Sequence, residues 1–278
     1  MKLVTFDAED GDTHPGVLSS SEKVYDLSAT PLVDGERTPL ANAIERVCIE
    51  GMEPFENIDA PAYDADAVSL NAPVPADARV ICLGGIYTQH LRDRNDSLNK
   101  VPSQWIAPDR AVVGPEEPIR LPERVSDHVV PAVELGVVIG RQCRHVDEAS
   151  VFDHIAGYTV CNDITARTDW PGPMAYKLME GFWPTGPSIT PVQDVPNPAS
   201  LDMTIDIGEE RICEGTTASM RFSLPFAVSY LSQILELRPG DIISTGDPGS
   251  VNGRLQPETE VTVAIESIGT LTNPIVEE

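Results

Sequence analysis

The sequence predicts an α+β fold in which strands predominate. Apolar runs of strand length recur along its 278 residues. Twenty-five prolines and twenty glycines imply many turns between them, and turns at that density suit a β-rich architecture. The length allows one large domain, or a large domain with a smaller one. A hydrophobic content of 41% is enough to bury a substantial core.

Residues 1–75 read as a small N-terminal α/β region and 76–278 as the main domain. In the first region, the runs Leu3 to Phe6, Gly16 to Leu18 and Val24 to Leu27 are expected strands. Leu40, Ile44, Val47 and Cys48 fall on one face of a helix. The stretch Asn71-Ala72-Pro73-Val74-Pro75 favours an extended linker. Arg79 to Leu83 then reads as a buried strand ended by Gly84-Gly85, with a helix beginning near Thr88. Val133 to Ile139 is the clearest strand. A helix is expected over Asp147 to Ala156, with Gly157 in the stop position, followed by a strand at Tyr158 to Cys161. A last helix starts after Ser223, carries Pro225 in its first turn, and runs to about Leu235. Arg238-Pro239-Gly240 turns the chain into a strand over Asp241 to Thr245.

The charge is strongly one-sided. Forty-four acidic residues face nineteen basic ones, a net charge of -25, and only Lys2, Lys23, Lys100 and Lys177 are lysines. Such a surface repels itself in dilute buffer and is screened at high salt. The excess of acid with a deficit of lysine reads as adaptation to a salt-rich, halophilic cytoplasm. It argues against nucleic acid as a partner, because phosphate contacts need clustered Lys and Arg. The sequence has no apolar run of eighteen residues, so no membrane span is expected, and a cytoplasmic location is the default reading. The five cysteines are widely spaced and form no CxxC pair, which gives no support to a zinc ribbon or redox motif.

Three segments carry candidate chemistry. In Gly84 to Asp93, His90 and Asp93 are three apart on the expected helix and can touch, the arrangement of a histidine oriented by a carboxylate to activate water. The alternative is a surface contact. In Pro131 to Gly140, side chains alternate, so Glu134 shares a face with Ala132, Gly136 and Val138, while Val133, Leu135, Val137 and Ile139 fill the other. A lone carboxylate on such a strand is either paired or bound to a cation, or it lies on a face open to solvent. In Tyr158 to Arg167, Asp163 follows an apolar strand, where it could ligate a hard cation such as Mg²⁺. The alternative is an ordinary Asn-Asp turn.

Read in order, these segments resemble the fumarylacetoacetate hydrolase family. Gly84, Tyr87 and His90 match its first motif; Glu134-Leu135 with Val138-Ile139-Gly140 match the second. Gly157-Tyr158-Thr159-Val160 with Asn162-Asp163 and Arg167 match the third. Lys177 with Pro184, Gly186 and Pro187, and then Leu237 with Pro239-Gly240-Asp241 and Thr245-Gly246, match two more. Five ordered motifs spanning about residues 79 to 255 are specific where any one alone is weak.

The resemblance implies a mixed β-sandwich roll that assembles as a homodimer. It implies a metal-dependent hydrolase that cleaves a carbon–carbon bond in an acylpyruvate or related small anionic 2-oxo or 1,3-dioxo acid. The cofactor implied is Mg²⁺, or Mn²⁺ or Ca²⁺. Carried over by position, Glu134 and Asp163 are metal ligands, and His90 is the base with Asp93 as its partner. Lys177 is the cation near the leaving group, and Tyr87, Thr245 and Gly246 line the substrate site. The chain departs from the family pattern at four places. Ala132 stands where a ligand glutamate is expected, Pro131 replaces an aromatic residue, Ala107 replaces a lysine, and Asp247 replaces a threonine. The ion could be held by Glu134, Asp163 and extra waters; Asp247 could return a carboxylate to the site; or the site could be lost. The same scaffold also hosts 2-keto-3-deoxy sugar-acid dehydratases, isomerases and decarboxylases. A non-catalytic binder of small acids is the further alternative. Arg167 reads as a structural ion-pair residue rather than a substrate clamp.

Overall fold

In the computed structural model, residues 1–88, 100–168, 177–249 and 253–278 are described. The strands are β1 (Lys2–Asp7), β2 (Thr13–Leu18), β3 (Lys23–Asp26), β4 (Ala62–Asp64), β5 (Leu70–Asn71), β6 (Val80–Gly84), β7 (Ser103–Ile106), β8 (Val112–Val113), β9 (Ile119–Leu121), β10 (His128–Val130), β11 (Val133–Ile139), β12 (Ile155–Asn162), β13 (Thr165–Arg167), β14 (Trp183–Pro191), β15 (Asp202–Ile207), β16 (Glu210–Thr216), β17 (Ile242–Ser244), β18 (Glu260–Ile265) and β19 (Gly269–Glu277). The α-helices are α1 (Pro39–Glu50) and α2 (Leu224–Ile234).

A large sheet runs in the order β4-β3-β2-β1-β14-β12-β11-β17-β6-β7, with β5 on β1 and β8 on β14. A second sheet, β16-β15-β18-β19-β9, packs across β11, β12 and β14. The two layers, with α1 packed against β12, share one large apolar core, and β11 and β12 are buried along their whole length. The expected β-rich α+β fold is the one observed. The strands of the first 75 residues join the large sheet through the pairing of Leu3 with Ile189.

Helix α1 follows the apolar spacing, burying Leu40, Ile44 and Val47 against β12 and β2. Helix α2 begins where the sequence places it: the Ser223 side chain accepts from Phe226 N, and Pro225 sits in the first turn. One expectation is corrected. Residues 147–156 do not form an α-helix ending at Gly157. Glu148–His154 is a 3₁₀ segment, and the chain is already in β12 by Ile155. Gly157 lies inside that strand because the neighbouring strand passes close to it. A Cβ there would stand 2.2 Å from the backbone oxygen of Thr190, so the glycine serves strand packing rather than a helix stop.

No helix among the described residues is long and apolar enough to cross a membrane.

Candidate active site

The site is built where β11, β12 and β17 lie side by side. Strand β11 pairs antiparallel with β12, setting Glu134 opposite Cys161, and with β17, setting Gly136 opposite Ser244. Gly136 makes room on the Glu134 face: a Cβ there would meet Thr159 Cγ2 at 2.8 Å and Cys161 Sγ at 2.9 Å. The solvent-facing alternative for Glu134 does not hold, since the residue is 2% exposed. Burying a carboxylate is costly unless it is hydrogen-bonded. Ser244 Oγ donates to Glu134 Oε2 at 2.6 Å, and the Gly246 N–H donates to the same oxygen at 2.9 Å. Gly246 has φ of +77°, a conformation that glycine adopts freely and that lets its N–H turn toward the carboxylate. Burial dominates and pushes the Glu134 carboxyl up to about 7, while the Lys177 charge and the Ser244 bond act against it.

Asp163 leaves the end of β12 in a loop pinned to the start of β11, since its N–H donates to Ala132 O at 2.9 Å. Asn162 completes the clamp by accepting from Ala132 N at 3.0 Å. Ala132 therefore brings no carboxylate to the site, yet its backbone ties down Asn162 and Asp163. Asp163 is 3% exposed, and its Oδ2 accepts from Lys177 Nζ. Its Oδ1 is buried without a hydrogen-bond partner among the described residues. The Lys177 ammonium also stands 5.4 Å from the ring centre of Trp105 and 5.8 Å from that of Trp183. The two ring faces attract the cation and shield it from water.

Tyr87 is buried, 1% exposed, and its hydroxyl donates to Met203 Sδ at 3.7 Å. Burial pushes the phenol well above its ordinary value, so Tyr87 stays protonated. Thr245 is tied to β11, with its N–H and its hydroxyl both donating to Leu135 O, at 3.1 and 2.9 Å. Thr245 and Gly246 thus hold β11 and Glu134 in place within the site. Asp247 is half-buried, accepts from Gly249 N at 3.0 Å, and adds its negative charge to the surroundings of Glu134 and Tyr87. Arg167 is exposed on β13. His90 and Asp93 lie outside the described residues. The structure thus brings Glu134, Asp163, Lys177, Tyr87, Thr245 and Gly246 into one region.

Among the described residues, no three His, Cys, Asp or Glu side chains converge into a metal-holding group. Two carboxylates nevertheless suit a divalent ion that keeps several waters, because such an ion takes hard oxygen donors and needs only one or two from the protein. The unpartnered, buried Asp163 Oδ1 is the observation that fits this best. The thiols of Cys82 and Cys161 lie near Glu134, and burial pushes both above their ordinary values, so they are protonated fillers of the core rather than nucleophiles.

Sequence reasoning missed Trp105 and Trp183. The signal was available: tryptophan occurs three times in the chain, and Trp183 stands six residues after Lys177.

Residues 79–276 match the family described as fumarylacetoacetate (FAA) hydrolase C-terminal. The chain is 33% identical over 241 residues to a 4-hydroxyphenylacetate degradation bifunctional isomerase/decarboxylase of Escherichia coli. That match covers 84% of this chain but only 55% of the relative, so the chain spans about half the length of that protein. It is 32% identical over 199 residues to the mitochondrial oxaloacetate tautomerase FAHD1 of Homo sapiens, covering 69% of this chain and 89% of the relative. Among solved structures it resembles a maleylpyruvate hydrolase from Sphingobium sp. SYK-6 in complex with manganese(II) and pyruvate. The TM-score is 0.82 at 26% identity, over 100% of this chain and 99% of that one.

Proposed function

This chain belongs to the fumarylacetoacetate hydrolase family, and from that premise we propose that it is a divalent-metal-dependent hydrolase of an acylpyruvate or related small 2-oxo acid. The observation that carries the reading is the buried group of Glu134, Asp163 and Lys177: two hard oxygen donors beside a sheltered ammonium. Glu134 and Asp163 would hold the ion, with water filling its remaining positions. When bound, the ion supplies positive charge to the oxygens of the 2-oxo acid, where negative charge develops.

The chain's own residues do the rest. In hydrolysis the water oxygen bonds to the acyl carbon, and the bond from that carbon to the pyruvate methylene breaks. Its electron pair is left as an enolate, which takes a proton to give pyruvate. Lys177 lies on the Asp163 side of the site, where its fixed charge stabilises that enolate. The indole faces of Trp105 and Trp183 keep the ammonium in position and out of bulk water. Ser244 and Gly246 hold Glu134 in one orientation. His90 with Asp93 is the proposed pair that takes a proton from the attacking water.

A second reading is enolisation without cleavage, as in an isomerase, tautomerase or sugar-acid dehydratase. It rests on the same residues: Glu134, Asp163 and Lys177 would stabilise an enolate whether or not a carbon–carbon bond breaks.

The test is to follow acetylpyruvate by NMR in deuterated buffer with Mg²⁺ or Mn²⁺. Pyruvate and acetate forming together support the hydrolase. Deuterium entering C3 with no cleavage supports the second reading. The Asp163→Ala variant is expected to lose metal-dependent turnover, and unchanged turnover would overturn the metal assignment.

A further inference from the structure

Buried donors are rarely left without an acceptor, because an unmade hydrogen bond forfeits the water that the group gave up. The Nε1 atoms of Trp105 and Trp183 are buried and have no partner among the described residues. Both indoles are held in place. Trp105 sits on β7 opposite Cys82, and Trp183 opens β14 opposite Val112. Their rings meet edge to face, with centres 6.4 Å apart. The Lys177 ammonium lies over both rings, and its carboxylate partner Asp163 keeps one oxygen without a hydrogen-bond partner. Two indoles, each with an unused N–H donor, thus stand around one cation. Buried tryptophan N–H groups usually find an acceptor. A pair of them beside an ammonium is a prebuilt receptor for an anionic oxygen.

We propose that Trp105 and Trp183, with Lys177, form an oxyanion-receiving subsite that takes the carboxylate of the 2-oxo acid through the two indole N–H groups. This rests on the 2-oxo acid chemistry proposed above and adds to it two residues that touch substrate. The subsite binds substrate and transfers no atoms or electrons. Each indole has two tasks, with its ring face on the cation and its N–H on the anion. Phenylalanine can replace the first and not the second.

The experiment labels the indole nitrogens of the whole chain with ¹⁵N and follows the three Trp side-chain signals while oxalate is added in the presence of Mg²⁺ at high salt. Trp105→Phe and Trp183→Phe assign the signals. The expected result is a saturable downfield shift of the Trp105 and Trp183 N–H signals. In calorimetry, each variant is expected to bind oxalate on the order of tenfold more weakly, the loss of a hydrogen bond to a charged group, with Mg²⁺ affinity in the absence of oxalate unchanged. If oxalate binds the native chain but both signals stay in place and both variants bind equally well, the subsite is overturned and the proposed function stands. If neither oxalate nor pyruvate binds the Mg²⁺-loaded native chain, the proposed function falls and the subsite falls with it.

Discussion

Replacing Ser244 with alanine should move the pH at which the divalent cation proposed for this site binds. Ser244 is fully buried, and its hydroxyl donates to Glu134 Oε2 at 2.6 Å. A hydrogen bond to an ionised acceptor contributes about 1.5–3 kcal/mol. At 1.36 kcal/mol per pH unit, its loss raises the Glu134 carboxyl by about one to two units. Burial already holds that carboxyl at about 7, so the variant should titrate at about 8 to 9. About half of the native chains would then carry ionised Glu134 at neutral pH, against roughly a tenth to a hundredth of the variant. A cation that needs the ionised form should therefore bind the variant about five- to fifty-fold more weakly at neutral pH, and within about twofold of native near pH 9.

The assay is a Mn²⁺ titration followed by paramagnetic resonance across this pH range at high salt, with Glu134→Gln as the control that removes the titrating group. Stability gives a second reading. A carboxyl raised above its unfolded value of 4.5 holds its proton more tightly in the folded state. Its contribution is fully present below the unfolded value and is lost as pH rises through the folded one. In the native chain, about 3 kcal/mol goes between about pH 4.5 and 7. In the Ser244→Ala variant, the loss continues to about pH 8 to 9. An affinity deficit independent of pH, or an unmoved midpoint, would refute the assignment of Ser244 as the group that tunes Glu134.

Three further outcomes are expected. Asp241 is fully buried and accepts from Arg79 N and Nε and from Arg238 N, so Asp241→Ala leaves two backbone N–H groups without this acceptor and the Arg79 guanidinium with only the Glu236 carbonyl. The cost should be about 2–3 kcal/mol, read as a fall in thermal midpoint of roughly 5–8 °C; an unchanged midpoint would contradict it. Gly157→Ala should destabilise by about 1–3 kcal/mol or more, because its Cβ would stand 2.2 Å from Thr190 O; a native denaturant midpoint would show that β12 and β14 separate easily. His14 donates from Nδ1 to Asp26 at 2.9 Å, and this bond, with the charges of Asp26, Asp10 and Asp12, raises its pKa. The stability it lends is fully present below the unfolded value and is lost as pH rises through the raised one. Proton NMR should place the His14 titration above 6.5, and Asp26→Asn should lower it.

The strands were legible because burial on both faces leaves near-continuous apolar runs, and Val133 to Ile139 is observed at the residues the sequence predicts. Glu134 was legible as a carboxylate on one face. Whether that face meets solvent or a second sheet is decided by strands more than a hundred residues away, so the pattern around it left both readings open. Residues 147–156 misled for a local reason: an acidic start, apolar residues at helical spacing and a following glycine imitate a capped helix. The glycine was answering to Thr190 in a strand the local sequence does not contain. Trp183 was within reach of the sequence, six residues after Lys177, but neither tryptophan matches a chemical motif, and Trp105 joins the pair only after β7 and β14 are placed.

The acidity of the chain and the chemistry of its site act over different distances. A net charge of -25 produces a field that draws cations toward the protein and turns anions away, and about 1 M salt shortens its reach to about 3 Å. The bonds inside the site are not screened in this way. Ser244 to Glu134, Gly246 to Glu134 and Lys177 to Asp163 run between groups sheltered from water. Salt can therefore remove the self-repulsion of the surface and leave the electrostatics of the site intact. The same division explains what the site must supply for itself. An anionic substrate gains nothing from the long-range field, so the favourable charge must come from close contact. In the described part of the site, that charge is held by Lys177 between its two indoles.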